Sequence, residues 1–197
     1  MPRIAPITGK SDVPGEHHAV VDAVVKVFGG VRGPFSMLLH SPKLAERVLN
    51  MVTFFRDESI VEPKLRSVAI LTAVREREAP YVWAAQVAAA RRNGVGEEII
   101  DLLRAKGDAG KLPAEERDIV TYTRQLMRTN RIDQPVFDSL QKRYSVQWLV
   151  ELTAAANYFA LLSGIVNAFE AAAPPDGDKL PVEANVKWRP FAHPRLR

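Results

Sequence analysis

The stretch EREAPYVWAAQVAAARRNGVG, Glu76 to Gly96, gathers most of the side chains in this chain whose types and spacing could do chemistry. Two carboxylates, Glu76 and Glu78, stand just before Pro80. A helix start favours a carboxylate's charged form, so both are candidate bases and both are also ordinary solvated charges. Tyr81 and Trp83 offer a flat apolar wall with a phenol donor, or simple packing. Gln86 interrupts an apolar helical face whose members one turn away are Val82, Trp83, Ala89 and Ala90. A carboxamide donates and accepts hydrogen bonds but exchanges no proton near neutral pH. Gln86 could therefore orient a carboxylate or steady an enolate-like oxygen. It could not serve as a general base. Two readings of Gln86 stand side by side: a satisfied core glutamine, or a neutral polar group in a small-molecule pocket. Its apolar helical neighbours place it mostly inside. A buried carboxamide without partners costs roughly 1–3 kcal/mol, so either reading requires something for it to bond.

Further candidates lie outside this stretch. Ser67, Ile70, Leu71, Val74 and Glu78 follow i, i+3, i+4, i+7 and i+11, which places Ser67 on an inward face. Arg75 could anchor a substrate carboxylate, or sit on the surface. His40 could be a pocket base or a loop residue. Asn157 and Tyr158, in the most apolar segment, are inward polar candidates. His17 and His18 are adjacent, so a helix would point them about 100° apart, a poor geometry for one ion. No metal site and no cofactor is expected.

The elements that must position these residues are helical. HHAVVDAVVKVFG ends at Gly29-Gly30, and GPFSMLLH follows. Ser41-Pro42, Glu62-Pro63 and Pro80 each read as a helix start with proline in the first turn, and Gly94 as a stop. GEEIIDLLRAK is a short helix, LPAEERDIVTYTRQLMRTN a long one, and QPVFDSLQKRYS another. VQWLVELTAAANYFALLSGIVNAFEAAA forms one helix, or two with a bend at Gly164. No stretch alternates as a strand does, so the fold class is all-α, with connections of two to six residues. The organisation is an extended arm over 1–15, a single domain over 16–173 and an extended arm over 174–197. An arm carrying Trp188 and Phe191 needs a surface, on its own domain or on a neighbouring subunit.

Composition narrows the function classes. The chain has 197 residues, 47% of them hydrophobic and 25% charged, as expected of a soluble globular domain. It carries 27 basic and 23 acidic residues in mixed order along the helices, so no nucleic-acid partner is expected, and the terminal HPRLR reads as a solvated tail. FGGVRG lacks the lysine and hydroxyl residue of a phosphate-binding loop. The start has no secretory pattern and no run reaches the length of a membrane span, so a cytoplasmic protein without membrane partners is expected. There is no cysteine, which removes disulfides, thiolate nucleophiles and CxxC redox chemistry.

LRSVAIL, YVWAAQ, ARRNGVGEEII, ERDIVTYTRQL and LVELTAAANYFALLSGIVNAF, in that order over residues 34–170, resemble the carboxymuconolactone decarboxylase family, whose superfamily also holds the AhpD-type alkylhydroperoxidases. The resemblance implies an AhpD-like helical domain and a homo-oligomer, a trimer or hexamer with a dimer as an option, with pockets near subunit contacts. It also places the reactive positions. The family's glutamate falls on Ser67, the peroxidase cysteines on Ala79 and Val82, and the histidine on Gln86. Thiol peroxidase chemistry is thereby excluded. What the resemblance leaves is a cofactor-free enzyme acting on a small carboxylated or lactone-like compound by decarboxylation, isomerisation or lyase chemistry. The alternative is a catalytically silent binding or scaffold oligomer. Restoring the imidazole alone should not restore peroxide chemistry, because the missing thiols carry the electrons. Gln86→His is expected to show no hydroperoxide turnover in a peroxide-consumption assay, and measurable turnover would overturn the thiol argument.

Overall fold

A computed structural model describes residues 2–181; Trp188, Phe191 and the HPRLR tail lie outside the described residues. Among the described residues there are nine α-helices and no strand. They are α1 (His18–Phe28), α2 (Pro34–Leu38), α3 (Pro42–Asp57), α4 (Pro63–Glu76), α5 (Pro80–Arg92), α6 (Glu97–Arg104), α7 (Ala114–Thr129), α8 (Gln134–Gln141) and α9 (Val146–Ala168). Proline opens α2, α3, α4 and α5, where its missing N–H costs nothing and its fixed φ suits the first turn. Gly29 closes α1 at φ 73 and Asn130 closes α7 at φ 54, both in the left-handed region that ends a helix.

The core is built around α4. Every residue from Leu65 to Arg75 is buried. A helix covered on all sides has no solvent face to pattern, so its sequence shows little amphipathic contrast. Its neighbours α5, α7 and α9 pack directly on it. Bonds at both ends set their directions. Lys64 pairs with Glu116 and Arg128 with Glu76, so α7 runs parallel to α4. Trp148 Nε1 donates to Glu62 and Asn167 Nδ2 donates to the Arg77 carbonyl, so α9 runs parallel as well. Asn93, at the end of α5, reaches Ser67 near the start of α4, so α5 returns antiparallel.

Two arginines are buried with α4, one near each end. Arg66 donates to the Val61 carbonyl at 2.7 Å. Burial pushes its pKa down, and the facing Glu151 carboxylate opposes that. Arg75 donates to the Arg104 carbonyl at 2.8 Å. A buried charge is tolerated only when paired or hydrogen-bonded, so these residues dictate what must stand at the two ends of the core.

Several expectations are amended. The last apolar segment is a single helix of 23 residues that passes through Gly164 without ending. By length and composition it could cross a membrane, but 56% of its apolar window is buried inside the protein, which is what a core helix does. The connection from α6 to α7 spans 105–113 and contains a 3-10 turn, so it is longer than two to six residues. The N-terminal segment folds onto the domain: Ile7 is buried and its N–H donates to the Ser36 carbonyl at 2.9 Å, while Arg3 pairs with Glu170 at 2.8 Å. Its end is two 3-10 turns, Lys10–Asp12 and Gly15–His17.

Gly33 joins this frame to the start of α5. Its φ is 58 and ψ is −134, a conformation that side chains disfavour, and a Cβ there would lie 2.2 Å from Tyr81 Cε1. Gly33→Ala should cost about 1–3 kcal/mol, which calorimetry would read as a Tm lower by about 2–12 °C. An unchanged Tm would show that the Tyr81 ring is not seated on this glycine.

Candidate functional site

The site is best built outward from α5. Around this helix, Val82, Trp83, Ala84, Val87 and Ala90 are buried, while Ala85, Ala88 and Arg92 are exposed. Gln86 falls on the boundary and is half-buried. Among the described residues its carboxamide has no hydrogen-bond partner, and it is open enough to reach solvent or a ligand. The requirement that it bond within the core therefore does not arise. On the same flank, about two turns further on, Asn93 Nδ2 donates to Ser67 Oγ at 2.9 Å. Ser67 is buried, as its helical spacing predicts. Thus Ser67 and Gln86, the positions that the resemblance equates with the family's acid and imidazole, lie on two helices packed against each other.

The carboxylates before Pro80 are committed elsewhere. Glu76 accepts from Arg128 Nε and Nη2, both at 2.7 Å, and stands 3.6 Å from Arg124 Nε. Its side chain is only 8% exposed, so it is a buried ion-pair partner and not a solvated charge. Arg124 also donates to the Gly107 carbonyl at 2.7 Å, and the cluster ties α4 to α7. Glu78 does not continue the α4 face, because the helix closes at Glu76 and Glu78 adopts φ 49. It accepts from Lys106 at 2.7 Å and lies 3.5 Å from Arg75 Nη1. The Lys106 hydrogen bond, helped by the charges of Lys106 and Arg75, holds the Glu78 carboxyl below its usual range against the effect of burial. Arg75 is buried, not on the surface; the Nη1 atom that faces Glu78 makes no hydrogen bond among the described residues.

The aromatic candidates split in role. Tyr81 is half-buried, with its phenol pushed up by burial and only partly offset by Arg32. Trp83 is fully buried, its Nε1 lacks a partner among the described residues, and the Arg104 guanidinium sits 5.9 Å from its ring centroid. His40 is exposed and its Nε2 contacts the Ala5 carbonyl at 2.9 Å, which pins the N-terminal segment. Asn157 points outward and bonds the Thr153 carbonyl of its own helix at 3.0 Å, because α9 turns that register away from α4. Tyr158 does point inward; it donates to the Val48 carbonyl at 2.9 Å, and burial pushes its phenol up. Residues that sequence reasoning passed over are Arg91, Arg104, Arg124 and Arg128. Their only signal was position toward the ends of α5, α6 and α7, where basic residues are common anyway. Among the described residues no group of acids or histidines could hold a metal ion. Two surface clefts lie away from Gln86: one of 550 Å³ along α8, and one of 390 Å³ where Tyr122, Phe137, Leu149 and Val150 line a groove between α7, α8 and α9.

No family model matches the sequence. No curated protein matches it either. Solved structures do. A peroxidase-related AhpD-core protein from Ralstonia eutropha JMP134 superposes with a TM-score of 0.69 at 14% identity, over 87% of this chain and 95% of its own. The debrominase Bmp8, in complex with 2,3,4-tribromopyrrole, gives 0.68 at 16% identity, over 89% and 95%. ATU0492 from Agrobacterium tumefaciens, a protein of unknown function, gives 0.61 at 14%, over 70% and 94%. This chain therefore has the AhpD-like fold, without cysteine.

The Glu78 pair makes a testable statement about pH. A carboxyl held below its ordinary value of 4.5 stabilises the fold above that value, and the contribution is lost as pH falls through the lower folded value. Glu78→Gln should lower Tm at neutral pH, and the difference from the native chain should close as the pH drops below about 4. A gap that persists undiminished in acid would mean that shape, not charge, holds Glu78.

Proposed function

We propose that this chain is a cofactor-free enzyme of the carboxymuconolactone decarboxylase type, acting on a small carboxylated or lactone-like compound. The observation that supports the reading is Gln86: a half-open carboxamide without a partner among the described residues, on the helix that the resemblance marks as reactive. Core glutamines satisfy their amides internally; one left open beside buried Val82 and Ala90 has donors to spare for a ligand. In this proposal Gln86 donates to the oxygen that gains charge as a carboxylate leaves or a lactone opens. Glu76, Glu78 and His40 are held in other contacts, so the proton is delivered by solvent rather than by a side chain. Ser67 and Asn93 would fix the polar edge of the same flank.

The engagement of Glu76 and Glu78 favours a second reading, a silent binding protein on the same fold. A homo-oligomer and a cytoplasmic location belong to both proposals. Val146, Val150 and Leu161, exposed along one side of α9, would supply an apolar contact face between subunits. The experiment is a turnover screen with small aromatic-pathway acids and lactones, followed by Gln86→Ala. A substrate should be found whose kcat/KM drops about 10²–10³-fold in Gln86→Ala, the loss expected for one donor to a developing oxyanion. Binding by thermal shift without turnover would establish the silent reading instead.

A further inference from the structure

Residues 171–181 turn back across α5 on the flank opposite Gln86, and the contact they make is built as a ligand contact is built. Asp178 accepts from Arg91 Nη1 at 2.6 Å and Nη2 at 3.1 Å, and from Arg104 Nη2 at 3.1 Å. One carboxylate is thus gripped by guanidinium groups from two helices, with the two-pronged geometry that recognises carboxylates best. Each arginine is also steadied by a carboxylate of its own. Glu97 accepts from Arg91 Nε at 2.6 Å and Nη2 at 3.0 Å, and Asp101 from Arg104 Nη1. Both arginines therefore keep their positions without Asp178. Among the described residues, Arg91 Nη1 and Arg104 Nη2 donate to Asp178 and to nothing else.

The strap that carries Asp178 is lightly held. Only Leu180 is buried between 171 and 181. Gly177 lies so close to α5 that an added Cβ would come within 2.7 Å of the Ala84 methyl, so the strap covers a small apolar patch as well as the two arginines. Partly exposed ion pairs of this kind are screened by salt and contribute little, which makes them exchangeable.

We propose that Arg91 and Arg104 form a binding site for a small free carboxylate with an apolar body, and that Asp178 fills it as a built-in competitor. An external carboxylate seats on the two guanidinium groups, its apolar part on Ala84, and the strap lifts. The site stands on the face of α5 away from Gln86, and its existence does not depend on catalysis there.

The probe is benzoate, titrated into the full chain at low salt by calorimetry. A competitor that occupies the site most of the time weakens apparent affinity by the fraction left open. Asp178→Asn should therefore bind benzoate at least about tenfold more tightly than the native chain. Adding Arg104→Gln to Asp178→Asn should abolish the gain. In the native chain, saturating benzoate should speed hydrogen exchange of the amides from 176 to 180, and Asp178→Asn should do the same without ligand. Circular dichroism would check that each variant keeps its helical content. Arg91→Lys in the Asp178→Asn background is the gentler alternative to Arg104→Gln, and should weaken binding because an ammonium lacks the planar fork that matches a carboxylate's two oxygens. Equal affinity in native and Asp178→Asn chains, absence of binding in both, or a gain that survives loss of Arg104 would each overturn the proposal.

Discussion

The rest of the structure depends on sheathing α4 while it carries two arginines. A helix buried from Leu65 to Arg75 offers its neighbours a largely aliphatic surface, Leu65, Val68, Ala69, Ile70, Leu71, Ala73 and Val74, and that surface drives α5, α7 and α9 onto it. The guanidinium groups of Arg66 and Arg75 cannot be left alone in that environment. Arg66 recruits the Val61 carbonyl and faces Glu151, whose carboxylate in turn takes the Ile60 N–H at 2.8 Å. The loop before α4 is thereby fastened to α9. Arg75 recruits the Arg104 carbonyl and faces Glu78, which holds Lys106. The far end of α4 is fastened to the end of α6. The apolar sides set which helices pack; the charged ends set how far they slide.

The same arrangement explains why acids beside the candidate site are poor bases. Glu76 and Glu78 stand where the end of α4 must neutralise Arg124, Arg128, Lys106 and Arg75. Both carboxylates are occupied by these donors, Glu76 by Arg128 and Glu78 by Lys106. Among the described residues, the candidate-site groups left outside these ion pairs include the neutral Gln86, Ser67 and Asn93. A site of that composition can bind, orient and stabilise charge, and leaves proton transfer to the substrate or to water.

The solved structures that share the fold carry peroxidase-related and debrominase descriptions, and at 14–16% identity they speak for the shape alone. What this chain lacks is any thiol. Two-electron chemistry on cysteine has no counterpart here, so the scaffold places different demands on α5. The ion-paired strap on the opposite flank of that helix is a feature of this chain's own residues.

Much of the frame was legible in the sequence. Prolines at 42, 63 and 80, the glycine at 29 and the 3.6-residue rhythm placed α3, α4, α5 and the end of α1, because those signals act through local backbone sterics. The inward side of Ser67 came from the same periodicity, and that of Tyr158 from its place in the most apolar segment. Gln86, placed inside by its apolar helical neighbours, is half-buried instead, because its position on α5 falls between the buried Val82 and Ala90 and the exposed Ala85. Asn157, one residue from Tyr158, turned outward, since 100° of rotation separates core from solvent on α9 and the pattern of an apolar-all-round helix does not mark which side faces which. The long-range pairs were not legible either. Glu76 finding Arg128 across 52 positions, or Asp178 finding Arg91 across 87, depends on how parallel and antiparallel helices are set side by side. Charged residues near helix ends look alike in sequence, and only tertiary packing decides which of them meet. The sequence by itself determined the helices, the buried stripe and the absence of thiol chemistry; the tertiary structure decided which acids are spent on ion pairs, and so which polar groups are left open to a ligand.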